Sequence, residues 1–192
     1  MYLQFRNGGD FMETRQALFG FEQAIGCPER LTGNQRAALQ WACVEEFDSV
    51  LEASCENSAL LATLSERFRV RAWGLNRDGK NRTGFPEMIT GDAEHIPLAG
   101  GTLDTVFMTR MPEGSVSEKA FSEIARIMRP GGQLVLVLPG LAELLFPGKL
   151  FSCVSGRRKL MRRIQSMGFS HVSWRRCGIR GVIIAWKKTA FE

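Results

Sequence analysis

From Ser49 onward the chain changes rhythm: short apolar runs alternate with longer stretches whose apolar positions recur every three or four residues. Ser49–Ala53, Val70–Leu75, Met88–Thr90, Leu103–Met108 and Gln133–Pro139 have the length and composition of strands, and Ser58–Arg67 separates the first two as a helix. Ser115 with Glu118 predicts a capping box, and the helix after it lines up Phe121, Ile124, Ala125 and Met128. Arg129-Pro130-Gly131-Gly132 predicts its end. The unbroken apolar run that follows suits a strand covered on both faces. Arg157–Met167 predicts a basic helix closed by Gly168, while His171–Arg176 and Gly181–Lys187 predict an antiparallel pair joined across Cys177-Gly178. Ahead of this region, Asp10 with Glu13 opens a helix over Phe11–Ile25, and Cys27-Pro28 breaks it. Thr32 with Gln35 then caps a second helix over Ala37–Val44. The order of elements predicts an α/β fold: a doubly wound, mostly parallel sheet with an antiparallel C-terminal strand pair. Residues 1–46 read as an N-terminal helical extension, a substrate cover or self-association element, and 47–192 as the α/β domain.

Composition narrows the class. The chain has 192 residues, 44% hydrophobic and 23% charged, which excludes a disordered or collagen-like protein. Its longest apolar runs, Leu134–Leu138 and Val182–Trp186, fall far short of the roughly 20 residues of a membrane helix. The first six residues lack the apolar core of a signal peptide, so no membrane association and a cytoplasmic location are expected. Five scattered cysteines without a C-x-x-C pair, and only two histidines, predict reduced thiols and no metal centre.

Charge adds a division. The net +5 combines +10 from Lys149 onward, eleven Lys or Arg against Glu192 alone, with −5 in the remainder. Two readings stay open for the basic third: a site for an anionic partner, or a solvated helix face and protected strand edges. The apolar positions Leu141, Leu144, Leu145, Phe146, Leu150 and Phe151 suit core or a homo-oligomer contact.

Three motifs occur in order between 89 and 138: Ile89-Thr90-Gly91-Asp92-Ala93-Glu94-His95-Ile96-Pro97-Leu98, then Leu103-Asp104-Thr105-Val106-Phe107, then Ser122–Gly132 ahead of Gln133–Leu138. Together they resemble the class I S-adenosylmethionine-dependent methyltransferases, in the type 11 branch that includes quinone-biosynthesis C-methyltransferases. The likeness extends over roughly residues 48–188. It implies a Rossmann-like fold, S-adenosylmethionine as cofactor with S-adenosylhomocysteine as product, and a small-molecule substrate.

The resemblance also implies roles by position. Asp92 would accept the adenine amino group and the Ala93 N–H would serve a ring nitrogen; the other reading of Asp92 is a turn aspartate. The family's glycine-rich first loop aligns with Glu52-Ala53-Ser54-Cys55-Glu56-Asn57-Ser58, so Glu52, Ser54 and Glu56 become cofactor contacts. Glu52 keeps the acidic position, but Ser54, Glu56 and Ser58 stand where glycine permits positive φ and close backbone approach. Asn76 takes the place of the carboxylate that holds the ribose hydroxyls, with Asp78 as a neighbouring substitute. The eleven residues between Asn76 and Met88 are too few for the usual helix, which shrinks to a turn around Gly79–Gly84. Thr109, Arg110 and Met111 would contact substrate. His95 is the candidate base, or else a surface residue beside Pro97. Methyl transfer from a sulfonium needs placement more than acid–base machinery, so the missing catalytic dyad does not count against it. The alternative is an inactive methyltransferase-like scaffold or regulatory domain that uses its basic C-terminal face.

Overall fold

The structure, a computed structural model, describes residues 31–53, 55, 57–77, 87–110, 117–138 and 150–189, the side chains of 150–155 excepted. The expected helix Phe11–Ile25 and the turn at 79–84 lie outside the described residues, as do Ser54, Glu56, Asp78, Met111 and Ser115. Seven strands form one sheet: β1 (Ser49–Ala53), β2 (Arg71–Asn76), β3 (Glu87–Thr90), β4 (Leu103–Met108), β5 (Met128–Leu138), β6 (Phe169–Cys177) and β7 (Arg180–Lys187). Their order is β3-β2-β1-β4-β5-β7-β6. Strands β1 to β5 pair in parallel, whereas β7 runs antiparallel between β5 and β6. The chain steps outward from β1 to β3 and then returns to β4 on the other side of β1. Strand order reverses between β1 and β4, and their carboxyl ends flank the crevice where such sheets bind ligands. The doubly wound architecture expected from the sequence is the one observed.

Helices α1 (Gly33–Leu39) and α2 (Ala59–Phe68) cover one face, and α3 (Glu118–Ile127) and α4 (Leu150–Ser166) the other. Under the first pair lie Ala37, Ala38, Leu60, Leu61 and Leu64 against Val50, Phe107, Val135 and Ile184. Under the second lie Phe121, Ile124, Ile127 and Ile164 against Leu51, Val106, Leu134 and Ile183. Burying each of these side chains stabilises the fold by about 1.5–3 kcal/mol before chain entropy is counted. A sheet packed on both sides needs apolar strands throughout, which is why β4 and β5 read as nearly continuous hydrophobic runs.

Local differences from the sequence reading have local causes. Helix α3 is capped by Ser117, whose hydroxyl accepts from the Ala120 N–H at 3.1 Å. Helix α1 stops at Leu39 rather than Val44, because the Cys43 N–H leaves the helix to donate to the Gln133 side chain at 2.8 Å. Helix α4 begins at Leu150, not Arg157, and runs through Gly156. Pro130-Gly131-Gly132 is structural, as expected. Gly131 takes φ +74°, and a Cβ on Gly132 would meet the Asp104 carbonyl at 3.0 Å. In β6 the pairing register shifts between Ser170 and Ser173, with His171 at φ +48°.

Candidate functional site

Strand β1 runs between β2 and β4, so its side chains have no solvent to face; Val50, Leu51 and Ala53 suit that position and Glu52 does not. Its carboxyl is 1% exposed. Burial raises its pKa from an ordinary 4.5 to about 7, against the opposing pull of hydrogen bonds from Thr109, Gln35 and Cys55. Oε1 accepts from the Thr109 hydroxyl at 2.7 Å and from the Gln35 amide at 3.2 Å. Oε2 is equally buried and makes no hydrogen bond among the described residues.

Cys55 sits beside this carboxyl, 2% exposed, its Sγ donating to the Asn57 carbonyl at 3.2 Å. Burial, then the neighbouring Glu52, pushes its thiol above the usual range, so it is a poor nucleophile. Gly74 on β2 makes room for it: a Cβ there would lie 3.0 Å from the Cys55 sulfur and 2.6 Å from that of Met88.

The neighbouring strands end on the same edge of the sheet. Asn76 is the last residue of β2 and pairs in register with Thr90, the last of β3. The Gly91 N–H then donates to the Asn76 carbonyl at 3.1 Å, tying the two ends together. Asp92 closes its own turn: Oδ1 accepts from the Glu94 N–H at 2.7 Å, and the Arg77 guanidinium stands 3.5 Å from Oδ2. Ala93 lies in that turn, half-buried against the core. His95 is exposed, its Nε2 2.7 Å from the Lys119 ammonium and its Nδ1 3.9 Å from Asp92. Beyond β4, Thr109 is buried against Glu52 and Arg110 is exposed.

The expected cofactor residues Glu52, Asn76, Asp92 and Ala93 therefore lie at or just beyond the carboxyl ends of three adjacent strands, with Thr109 and Arg110 after the fourth. Gln35 and Asn57, which the sequence reading did not place in the site, join Glu52 through a shared amide contact of 2.9 Å. The Thr32–Gln35 capping box was the available signal, but it announces only the helix start.

The basic third is largely engaged within the fold. Arg157 stacks 4.5 Å over Trp174 and Arg175 lies 5.7 Å over Trp41. Arg163 pairs with Glu118, Arg176 donates to the Gly178 carbonyl, Arg180 to Asn34 and Lys187 to the Met128 carbonyl. Among the described residues, no group of three His, Cys, Asp or Glu could hold a metal, and no helix is long and apolar enough to cross a membrane.

Comparison with known proteins points in one direction. The family described as a methyltransferase domain matches residues 43–136. A malonyl-[acyl-carrier protein] O-methyltransferase of Methylococcus capsulatus is 26% identical over 136 residues, covering 66% of this chain and 48% of that protein. The chain thus spans about half the length of that curated relative. The complex of the Haloferax volcanii Trm112 methyltransferase activator with a putative methyltransferase superposes with a TM-score of 0.64 at 16% identity, over 92% of this chain and 98% of that one. Geranyl diphosphate C-methyltransferase from Streptomyces coelicolor A3(2), solved with S-adenosyl-L-homocysteine, gives 0.61 at 13% identity, over 95% and 86%.

Proposed function

Residues 43–136 are a class I methyltransferase domain of type 11, and on that premise we propose that the chain transfers a methyl group from S-adenosylmethionine to a small molecule by direct in-line displacement. The observation that carries this reading is Glu52: a carboxyl buried at the end of β1, where strand order reverses, with one oxygen that has no hydrogen-bond partner among the described residues. A buried polar atom left without a hydrogen bond costs stability, and a ligand that supplies the missing partner recovers it.

The residues present fit that cofactor. Glu52 supplies a carboxylate for the ammonium of its methionyl end, Asn76 an amide for the ribose hydroxyls, and Asp92 with the Ala93 N–H an acceptor and a donor for adenine. When bound, S-adenosylmethionine brings a methyl group already activated on a sulfonium, so the protein's task is to align the acceptor and exclude water. Thr109 and Arg110, which follow β4, are the described residues proposed for the acceptor side. The guanidinium of Arg110 suits an anionic acceptor, and the malonyl and diphosphate groups named for the two relatives are both anionic. His95 remains the candidate base, exposed beside Lys119.

Calorimetric titration of the full chain with S-adenosylmethionine and S-adenosylhomocysteine tests the proposal. Both bind, and Asp92→Ala weakens them roughly 10-fold or more, the worth of one charge-assisted hydrogen bond. Absence of heat and of a thermal shift at millimolar ligand would overturn it.

A further inference from the structure

We propose that Gln35 is a positioning residue for the cofactor site: its amide, reaching in from α1, clamps both ends of the β1–α2 turn. Gln35 precedes the segment that matches the methyltransferase family, which begins at residue 43. The side chain is 3% exposed and both of its amide hydrogens are used. Oε1 accepts from the Thr32 N–H at 3.0 Å, while Nε2 donates to Glu52 Oε1 at 3.2 Å and to Asn57 Oδ1 at 2.9 Å. Turning the amide over would set its NH2 against an N–H and its oxygen against two oxygens, so the orientation is determined by its partners.

The two clamped atoms bracket the turn. Glu52 is the penultimate residue of β1. Asn57 organises the start of α2, since its Oδ1 also accepts from the Ala59 N–H at 3.2 Å, and the Ser58 side chain makes no capping bond. The family's usual turn here is shaped by glycines, whereas this chain carries Ser54, Glu56 and Ser58. The side-chain brace fixes the two residues that flank those positions, Glu52 and Asn57, and it is borne by a helix outside the matched segment.

The clamp also acts on charge. The groups recorded as acting on Glu52 are Thr109 after β4, Gln35 from α1 and Cys55 in the turn, with no cation among them. Cys55, the titratable one, stays protonated. The Gln35 N–H favours the ionised carboxyl, and its loss leaves Thr109 and Cys55 to oppose burial.

This inference rests on the proposed cofactor only for what occupies the site, and two variants separate the parts of the clamp. Gln35→Glu keeps the capping box, because glutamate accepts from the Thr32 N–H equally well, but removes the donor to Glu52 and Asn57. Thr32→Ala removes the cap and keeps the donor. The Glu52 carboxyl is titrated by carbon-13 NMR in the cofactor-free full chain, assigned with Glu52→Gln, and S-adenosylhomocysteine affinity is measured in parallel. In Gln35→Glu the Glu52 midpoint rises by about one unit or more and affinity falls roughly 10-fold. In Thr32→Ala the melting temperature drops while the midpoint holds. Gln35→Ala carries the same expectation for Glu52 if the glutamate variant does not fold. A Gln35→Glu midpoint and affinity equal to wild type would overturn the clamp, as would a Thr32→Ala midpoint that moves equally far. If wild type fails to bind S-adenosylhomocysteine, the function reading falls, and the Glu52 titration alone then decides the clamp.

Discussion

The two ends of β1 and β4 carry buried carboxyl groups that are treated in opposite ways. At the amino ends, Asp48 and Asp104 face a cation: Arg129, at the start of β5, pairs with Asp104 and stands 4.0 Å from Asp48. Backbone donors complete the set, with the Ser49 N–H on Asp104 at 2.8 Å and the Glu45 N–H on Asp48 at 3.0 Å. At the carboxyl ends, Glu52 has two neutral donors on one oxygen, none on the other among the described residues, and a pKa raised to about 7. The lower cluster is neutralised within the chain and fastens three strands. The upper one is left incomplete at the point where strand order reverses. The proposed cofactor would bring its ammonium to this upper end, where Glu52 has no cation beside it among the described residues.

Breaking the lower cluster has the largest expected effect. Asp104→Ala leaves the Ser49 N–H without this acceptor and removes the carboxylate paired with Arg129. A loss of about 3 kcal/mol is expected, the scale for removing one partner of a buried pair. Urea unfolding measures it, and a loss below about 1 kcal/mol would refute the view that this end is built for stability.

The upper cluster responds in the reverse sense. Glu52 has a folded pKa above its ordinary 4.5, so between pH 4.5 and 7 the native state holds the proton more tightly than the unfolded chain does. Stability from this group is present at low pH, falls as pH rises through that window, and stays low above it. Glu52→Gln removes the cost of ionisation. It is expected to stabilise the protein by up to about 3 kcal/mol at pH 8 and by little near pH 5. Thermal or urea unfolding of both proteins across that range checks the sign. A difference independent of pH would mean that Glu52 is ionised throughout.

The contrast also explains what the sequence could disclose. Strands β4 and β5 were legible because burial on both faces demands unbroken apolar runs, and the three motifs between 89 and 138 carried the likeness to the family. The edges of helices were less legible. Ser115 and Ser117 are both plausible caps two residues apart, and α4 begins at Leu150 rather than Arg157. Glu52 and Asp92 could be nominated from their places in the motifs, yet Asp92 is also the turn aspartate that its short-range pattern suggests. Gln35 was hidden for a physical reason: its local role as a helix cap accounts for it fully, and its bonds to Glu52 and Asn57 span 17 and 22 residues. Pairings at that separation are set by how α1 lies on the sheet, which no local pattern encodes.

The smallest expected effect is also the most specific to the upper end. In the cofactor-free protein Glu52 is about half protonated at neutral pH. An ammonium group brought beside it favours the carboxylate, so binding releases a proton whenever Glu52 starts protonated. S-adenosylhomocysteine affinity should therefore rise between pH 6 and 8, by roughly 10-fold, and level off once Glu52 is ionised in the free protein. In Glu52→Gln the affinity is lower at pH 8 and nearly flat across the range. Calorimetry in buffers of different ionisation enthalpy counts the released proton directly. An affinity that falls with rising pH would instead show neutral Glu52 donating to a carboxylate, and would put the opposite end of the methionyl group against β1.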